Sequence, residues 1–150
     1  METISKPCVH SFNVEMKWNI ETGNGTMTSG RRMPVCFAPP VEFGGTDAVW
    51  SPEQLLASAV ASCYMTTFLH FAKMLKIKIR DFYVDVKMEI EKKDKLGFKA
   101  TKYLVHPEIS FETRQDEQTI LDLLSKAKRY CIISNSVNGD ISVEPIIKNN

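Results

Sequence analysis

Cys63 and Cys131 are the residues of this sequence whose type and setting best suit chemistry. Cys63 lies inside an almost uncharged run, Ser51-Pro-Glu-Gln-Leu-Leu-Ala-Ser-Ala-Val-Ala-Ser-Cys63-Tyr-Met. Cys131 ends a second run of helical character, Leu123-Leu-Ser-Lys-Ala-Lys-Arg-Tyr-Cys131. Two thiols carried by two buried helices can meet in space although 68 positions separate them. Such a pair suits thiol-based reduction, in which one sulfur is oxidised and the other resolves it. The competing expectation is that each cysteine packs as a small hydrophobe. A reactive cysteine must be largely thiolate, whereas an ordinary thiol with a pKa of about 8.5 is only a few per cent ionised at neutral pH. Cys63 is the twelfth residue of its predicted helix, too deep to use the positive helix end. It therefore needs a cation or hydrogen-bond donors from elsewhere in the fold.

Glu53 opens the same helix, where a carboxylate favours the dipole. It precedes Cys63 by ten residues, about 15 Å along a straight helix axis. A functional Glu53 would act by holding a cation that reaches the thiolate. Cys8 and Cys36 are expected to be incidental, one near the N-terminus and the other just before a long loop. The histidines, His10, His70 and His106, form no Cys-x-x-Cys or His-Glu-x-x-His spacing, so no metal site is expected.

The elements that must position the thiols are legible from periodicity. From Val9 the even positions His10, Phe12, Val14, Met16, Trp18 and Ile20 alternate with mostly polar residues, predicting a strand with one covered face. Gly23-Asn-Gly25 supplies a hairpin turn, Thr26 begins the return strand, and Met33, Val35 and Phe37 suggest a third. A loop from Ala38 to Trp50 follows, and loops of that length often serve function. Ser51, Pro52 and Gln54 form a helix start, and the helix is predicted to run to about Leu75. It is apolar nearly all round, which requires cover on more than one side.

Phe82, Val84, Val86, Met88 and Ile90 alternate again, and a turn over 92–97 leads to a partner strand over 98–111. Thr113 is the expected cap of a second helix with Ile120, Leu121, Leu124, Ala127 and Cys131 on its apolar stripe. Asn138-Gly139 then turns into a last strand over 141–146. The order βββα-ββα-β is an α+β pattern, and 150 residues suit one domain, 1–150.

A formal net charge of +1 argues against a dedicated nucleic-acid binder, and Lys126, Lys128 and Arg129 complement a helix C-terminus. The stretch from Leu55 to Ala72 approaches membrane-span length but is rich in Ala, Ser and Thr, and it is expected inside protein instead. The first seven residues lack the apolar core of a leader, so a cytoplasmic location is expected. There the cysteines should be reduced at rest, and a disulfide between them would be transient.

Three passages together resemble the family of osmotically inducible protein C and organic hydroperoxide resistance proteins: Pro40-Val-Glu-Phe-Gly-Gly45, the helix from Ser51 to Cys63, and Ala127-Lys-Arg-Tyr-Cys131. The resemblance implies an intertwined homodimer with strongly curved antiparallel sheets around two central helices and active sites at the subunit interface. It also implies a thiol peroxidase acting on organic hydroperoxides, with Cys63 as nucleophile, Cys131 resolving and Glu53 at the family's position. It implies no bound cofactor, only an external dithiol reductant, lipoyl groups being one source. The family's thiolate-stabilising arginine has no counterpart in the first hairpin, Glu21-Thr-Gly-Asn-Gly-Thr26. Arg31 and Arg32 follow the second strand and are the candidates to replace it. The alternative is a redox sensor or a binder of apolar small molecules on the same fold.

Overall fold

The computed structural model describes residues 8–148, so the opening residues on which the leader expectation rests lie outside it. The chain divides into two compact units, one ending at Pro52 and one beginning at Glu53.

In the N-terminal unit, β1 (Glu15–Asn19), β2 (Asn24–Thr28) and β3 (Val35–Phe37) form an antiparallel sheet in the order β1-β2-β3. β1 begins at Glu15 instead of near Val9. Its ladder ends where Glu15 meets Thr28, because Gly30, at φ +57°, turns the chain away and leaves earlier residues without a partner strand. The hairpin turn also sits slightly earlier than expected. Asn19 pairs with Asn24, its carbonyl accepts from the Gly23 N–H at 3.0 Å, and its side chain accepts from the Glu21 and Thr22 N–H groups. Gly25 instead lies within β2 under the Phe37 ring, where a Cβ would come within 2.4 Å of a ring carbon. The face expected to be covered is open within this chain: Met16, Trp18 and Ile20 are all exposed.

The loop after β3 is closed at its neck, where the Ala38 N–H donates to the Trp50 carbonyl at 3.0 Å. Inside it a single 3-10 turn (Val41–Phe43) leads to Gly45, whose missing side chain allows contact with the Pro39 backbone.

The second unit contains α1 (Pro52–Met74), the paired strands β4 (Ile79–Lys92) and β5 (Phe98–Phe111), α2 (Glu117–Tyr130), β6 (Asp140–Val143) and β7 (Ile146–Lys148). β4 and β5 form a long antiparallel hairpin. β6 and β7 both run parallel to β5, so this sheet is mixed instead of wholly antiparallel. The last strand, expected to be continuous, is split. β6 pairs with 102–105 of β5 and β7 with 108–110, on either side of Pro107. Pro145 lies between the two short strands. Neither proline has an N–H to offer a ladder, which accounts for the interruption.

The core joins the two helices to one face of β5. Val60, Tyr64, Phe68 and Ala72 of α1 meet Tyr103, Val105, Ile109 and Phe111 of β5 and Ile120, Leu123 and Ala127 of α2. Leu123 takes the inner place expected for Leu121, which is half exposed; from Ile120, three residues and not one return a helical side chain to the same face. The α2 cap is Asp116 and not Thr113. Its carboxylate accepts from the Thr119 N–H at 2.9 Å, while Thr113 accepts from the Gln115 side chain.

α1 ends as predicted, with a Schellman motif. The Ile77 N–H donates to the Ala72 carbonyl and the Lys76 N–H to that of Lys73, with Lys76 itself left-handed at φ +57°.

Candidate functional site

Cys63 lies half-buried near the middle of α1, beside the buried Tyr64 and one turn before Thr67. Cys131 is wholly buried at the end of α2, where the backbone leaves the helix in an extended conformation. Packing of both helices on the same sheet face brings the two cysteines together, and both are free thiols near enough to shift one another's ionisation. Cys131 belongs to the core cluster and Cys63 packs against it.

The chain after Cys131 folds back into a tight turn. The Asn135 N–H donates to the Cys131 carbonyl, and the Val137 N–H donates to that of Ile133. Much as the first N–H groups of a helix face an anion, those of Ile132 and Ile133 act on Cys63 and that of Ser134 on Cys131. The Ile133 and Ile132 N–H groups and the Thr67 hydroxyl lie on the Cys63 side and favour its thiolate. The Ser134 hydroxyl donates to the Cys131 sulfur at 3.0 Å, joined by the Ser134 N–H.

These donors split the pair. Burial pushes the Cys63 thiol up, but the Ile133 N–H, the Cys131 thiol, Thr67 and the Ile132 N–H outweigh it and hold Cys63 below the ordinary thiol value. Burial pushes Cys131 up as well. The Ser134 donors oppose that rise, while the neighbouring Cys63 adds to it, so Cys131 stays above its ordinary value. Cys63 is therefore the first to ionise, and Cys131 keeps its proton and donates toward the Cys63 sulfur. Tyr64 carries a buried hydroxyl with no hydrogen-bond partner among the described residues. Burial and the nearby Cys131 both push its ionisation up, so it stays a neutral phenol.

Glu53, ten residues before Cys63 on α1, is about 15 Å away along the axis and does not share the thiol site within this chain. Its Oε2 is buried without a hydrogen-bond partner among the described residues. Arg31 and Arg32 lie in the turn between β2 and β3 of the N-terminal unit, and Arg32 donates to the Ser29 carbonyl at 3.2 Å. Cys36 is exposed on β3, and Cys8 contacts His10 at 3.3 Å on the surface. His70 packs edge-on against Phe71, and His106 lies between Asp85 and Glu144.

Thr67 was open to discovery from sequence, because it lies four residues after Cys63 and so on the same helix face. Ile132 and Ile133 were not. They act through backbone N–H groups, and their apolar side chains carry no sign of it. Ser134 was visible only as a hydroxyl three residues after Cys131.

A model of the OsmC-like protein family matches residues 45–145. No curated protein matches the chain. Among solved structures, an OsmC-like protein of unknown function from Vibrio cholerae is similar at a TM-score of 0.84 and 18% identity, over 92% of this chain and 100% of that one. An organic hydroperoxide resistance protein from Elizabethkingia anophelis, with thiocyanate bound, aligns at 0.74 and 24% identity over 97% and 100%. Another from Legionella pneumophila aligns at 0.74 and 23% identity over 95% and 100%. At these identities the likeness establishes the fold.

Proposed function

Because the chain belongs to the OsmC-like family, and because its two core thiols differ in proton affinity, we propose that it is a thiol peroxidase for organic hydroperoxides. The observation that carries this reading is the contact of Cys63 and Cys131 beneath the N–H groups of Ile132 and Ile133. Several proteins of like fold are described as organic hydroperoxide resistance proteins, which fits the same substrate class.

In the proposed reaction the Cys63 thiolate attacks the terminal peroxide oxygen. The O–O bond breaks, the alkoxide leaves as the alcohol after taking a proton, and Cys63 becomes a sulfenic acid. Cys131 then attacks the Cys63 sulfur. The S–O bond breaks, water leaves, and a Cys63–Cys131 disulfide forms. An external dithiol, a lipoyl group being one candidate, returns both sulfurs to thiols by exchange. The apolar residues around the pair suit an alkyl or fatty substrate.

We assign the family's homodimer to this chain as part of the same proposal. The exposed Phe12, Val14, Met16, Trp18, Ile20, Met33 and Trp50 leave apolar side chains of the N-terminal unit open to a second copy. Glu53 fits this reading as well. It lies too far from the Cys63 of its own chain, and its unpartnered buried Oε2 calls for a cation. Arg31 and Arg32 remain the proposed guanidinium sources.

The test is consumption of cumene hydroperoxide with dithiothreitol or dihydrolipoamide as reductant. Turnover should vanish in Cys63→Ser and stall after one oxidation in Cys131→Ser. Wild-type turnover equal to that of Cys63→Ser would refute the proposal. A second reading, a redox sensor or binder of apolar molecules, is favoured by one observation: the hairpin from Asn19 to Asn24 contains no arginine. It predicts a wild-type protein that binds apolar ligands or oxidises slowly without turnover.

A further inference from the structure

The resolving sulfur has its own hydroxyl donor. Ser134 Oγ donates to the Cys131 sulfur at 3.0 Å, and Cys131 is fully buried. The turn that carries Ser134 is held on both sides, by Asn135 N–H to the Cys131 carbonyl at 3.1 Å and by Ser136 N–H to the Ile133 carbonyl at 2.9 Å. A second bond, from the Ser136 hydroxyl to the Ile132 carbonyl at 2.7 Å, fixes the same segment. The Ser134 hydroxyl thus meets the Cys131 sulfur from a turn that three hydrogen bonds hold.

We infer that Ser134 is the donor that governs ionisation of Cys131 and so sets the pace at which the Cys63 sulfenic acid is resolved; this rests on the peroxidase reading above. When the disulfide forms, the Cys131 S–H bond breaks and its proton leaves with the Cys63 hydroxyl as water. The Cys63 sulfur is reduced from the sulfenic state, and the Cys131 sulfur is oxidised to match. Negative charge gathers on the Cys131 sulfur before the S–S bond is complete. A hydrogen bond to a charged acceptor is stronger than one to a neutral thiol, so the Ser134 contact favours that stage over the resting state. Burial disfavours thiolate at Cys131, and Ser134 is the side chain that offsets it. Slow resolution leaves the sulfenic acid open to a second peroxide and to irreversible sulfinic acid. In this way Ser134 would also protect Cys63 from over-oxidation.

The test uses the full chain, with Ser134→Ala and Ser134→Thr. One equivalent of cumene hydroperoxide is added without reductant, and quenched samples are assayed by mass spectrometry for dimedone-trapped Cys63 and for the disulfide. Ser134→Ala should slow the disulfide step roughly tenfold, the loss of one hydrogen bond to a developing charge, and by more than it slows the oxidation step. Cys63 sulfinic acid should rise with excess peroxide, and Ser134→Thr should restore wild-type behaviour. In parallel, Cys131 alkylation is followed against pH in the Cys63→Ser background, where no peroxide chemistry is needed. Adding Ser134→Ala should move its midpoint upward, and Ser134→Thr should not. Equal midpoints, or equal disulfide rates in wild type and Ser134→Ala, would overturn the inference. If the midpoint moves but wild type consumes no hydroperoxide, the donor assignment to Ser134 holds and the peroxidase reading alone fails.

Discussion

Thr67→Val tests whether hydrogen bonds, and not burial, decide the state of Cys63. The substitution removes one hydroxyl donor near the sulfur while keeping side-chain volume nearly constant. A hydrogen bond to a charged group is worth about 1.5–3 kcal/mol when fully desolvated. Cys63 is only half-buried, and three other donors remain, so about 1 kcal/mol is a fair share. That is roughly a fivefold smaller thiolate fraction at any pH below the midpoint, and so an upward move of the midpoint. The sign is fixed by the direction of the native shift. Folding lowers the Cys63 pKa, so its thiolate stabilises the fold above the ordinary thiol pKa, and that gain is lost as pH falls through the lowered value. Cys131 is raised and behaves oppositely, contributing below its unfolded pKa and losing that contribution as pH rises. The assay is the rate of Cys63 alkylation by iodoacetamide across pH, read by mass spectrometry to separate it from Cys8, Cys36 and Cys131. The Thr67→Val curve should lie at higher pH than wild type. An unchanged midpoint would mean that Thr67 does not hold the thiolate.

Three further outcomes follow from the surrounding fold. Phe68→Ala removes a wholly buried ring packed edge-on to Phe82 at 5.0 Å, and should cost about 3–5 kcal/mol in denaturant unfolding. Lys76→Gly relieves a left-handed residue at the end of α1, and should raise stability by about 0.5–1 kcal/mol in the same measurement. The Asp116 carboxyl is held below its usual range by the Thr119 hydroxyl and N–H, so its contribution is present above the ordinary Asp pKa and lost as pH falls through the lowered one. Asp116→Asn keeps a capping side chain and should flatten that acid-side loss in thermal melts; an unchanged pH profile would show that the charge plays no part.

Much of the architecture could be read from local patterns. Alternation placed β5 at its observed bounds and the middle of β4, which runs three residues earlier than Phe82 and two beyond Ile90, and the Ser-Pro-Glu-Gln start with a long apolar run placed α1. Those signals are local because backbone geometry repeats every two residues in a strand and every 3.6 in a helix. What alternation could not show was the availability of a partner strand, so β1 is shorter than its apolar pattern suggests. Nor could it show that Pro107 and Pro145 divide the last strand, or that it runs parallel to β5.

By itself the sequence determined the element order, the family and the identity of the two cysteines worth attention. The contact between their sulfurs, and the order in which they ionise, came only from the tertiary structure. Both depend on main-chain N–H groups of Ile132 and Ile133, and on a turn that aims Ser134. Every residue except proline has such an N–H, so no residue type marks the few that a fold leaves free to face a sulfur.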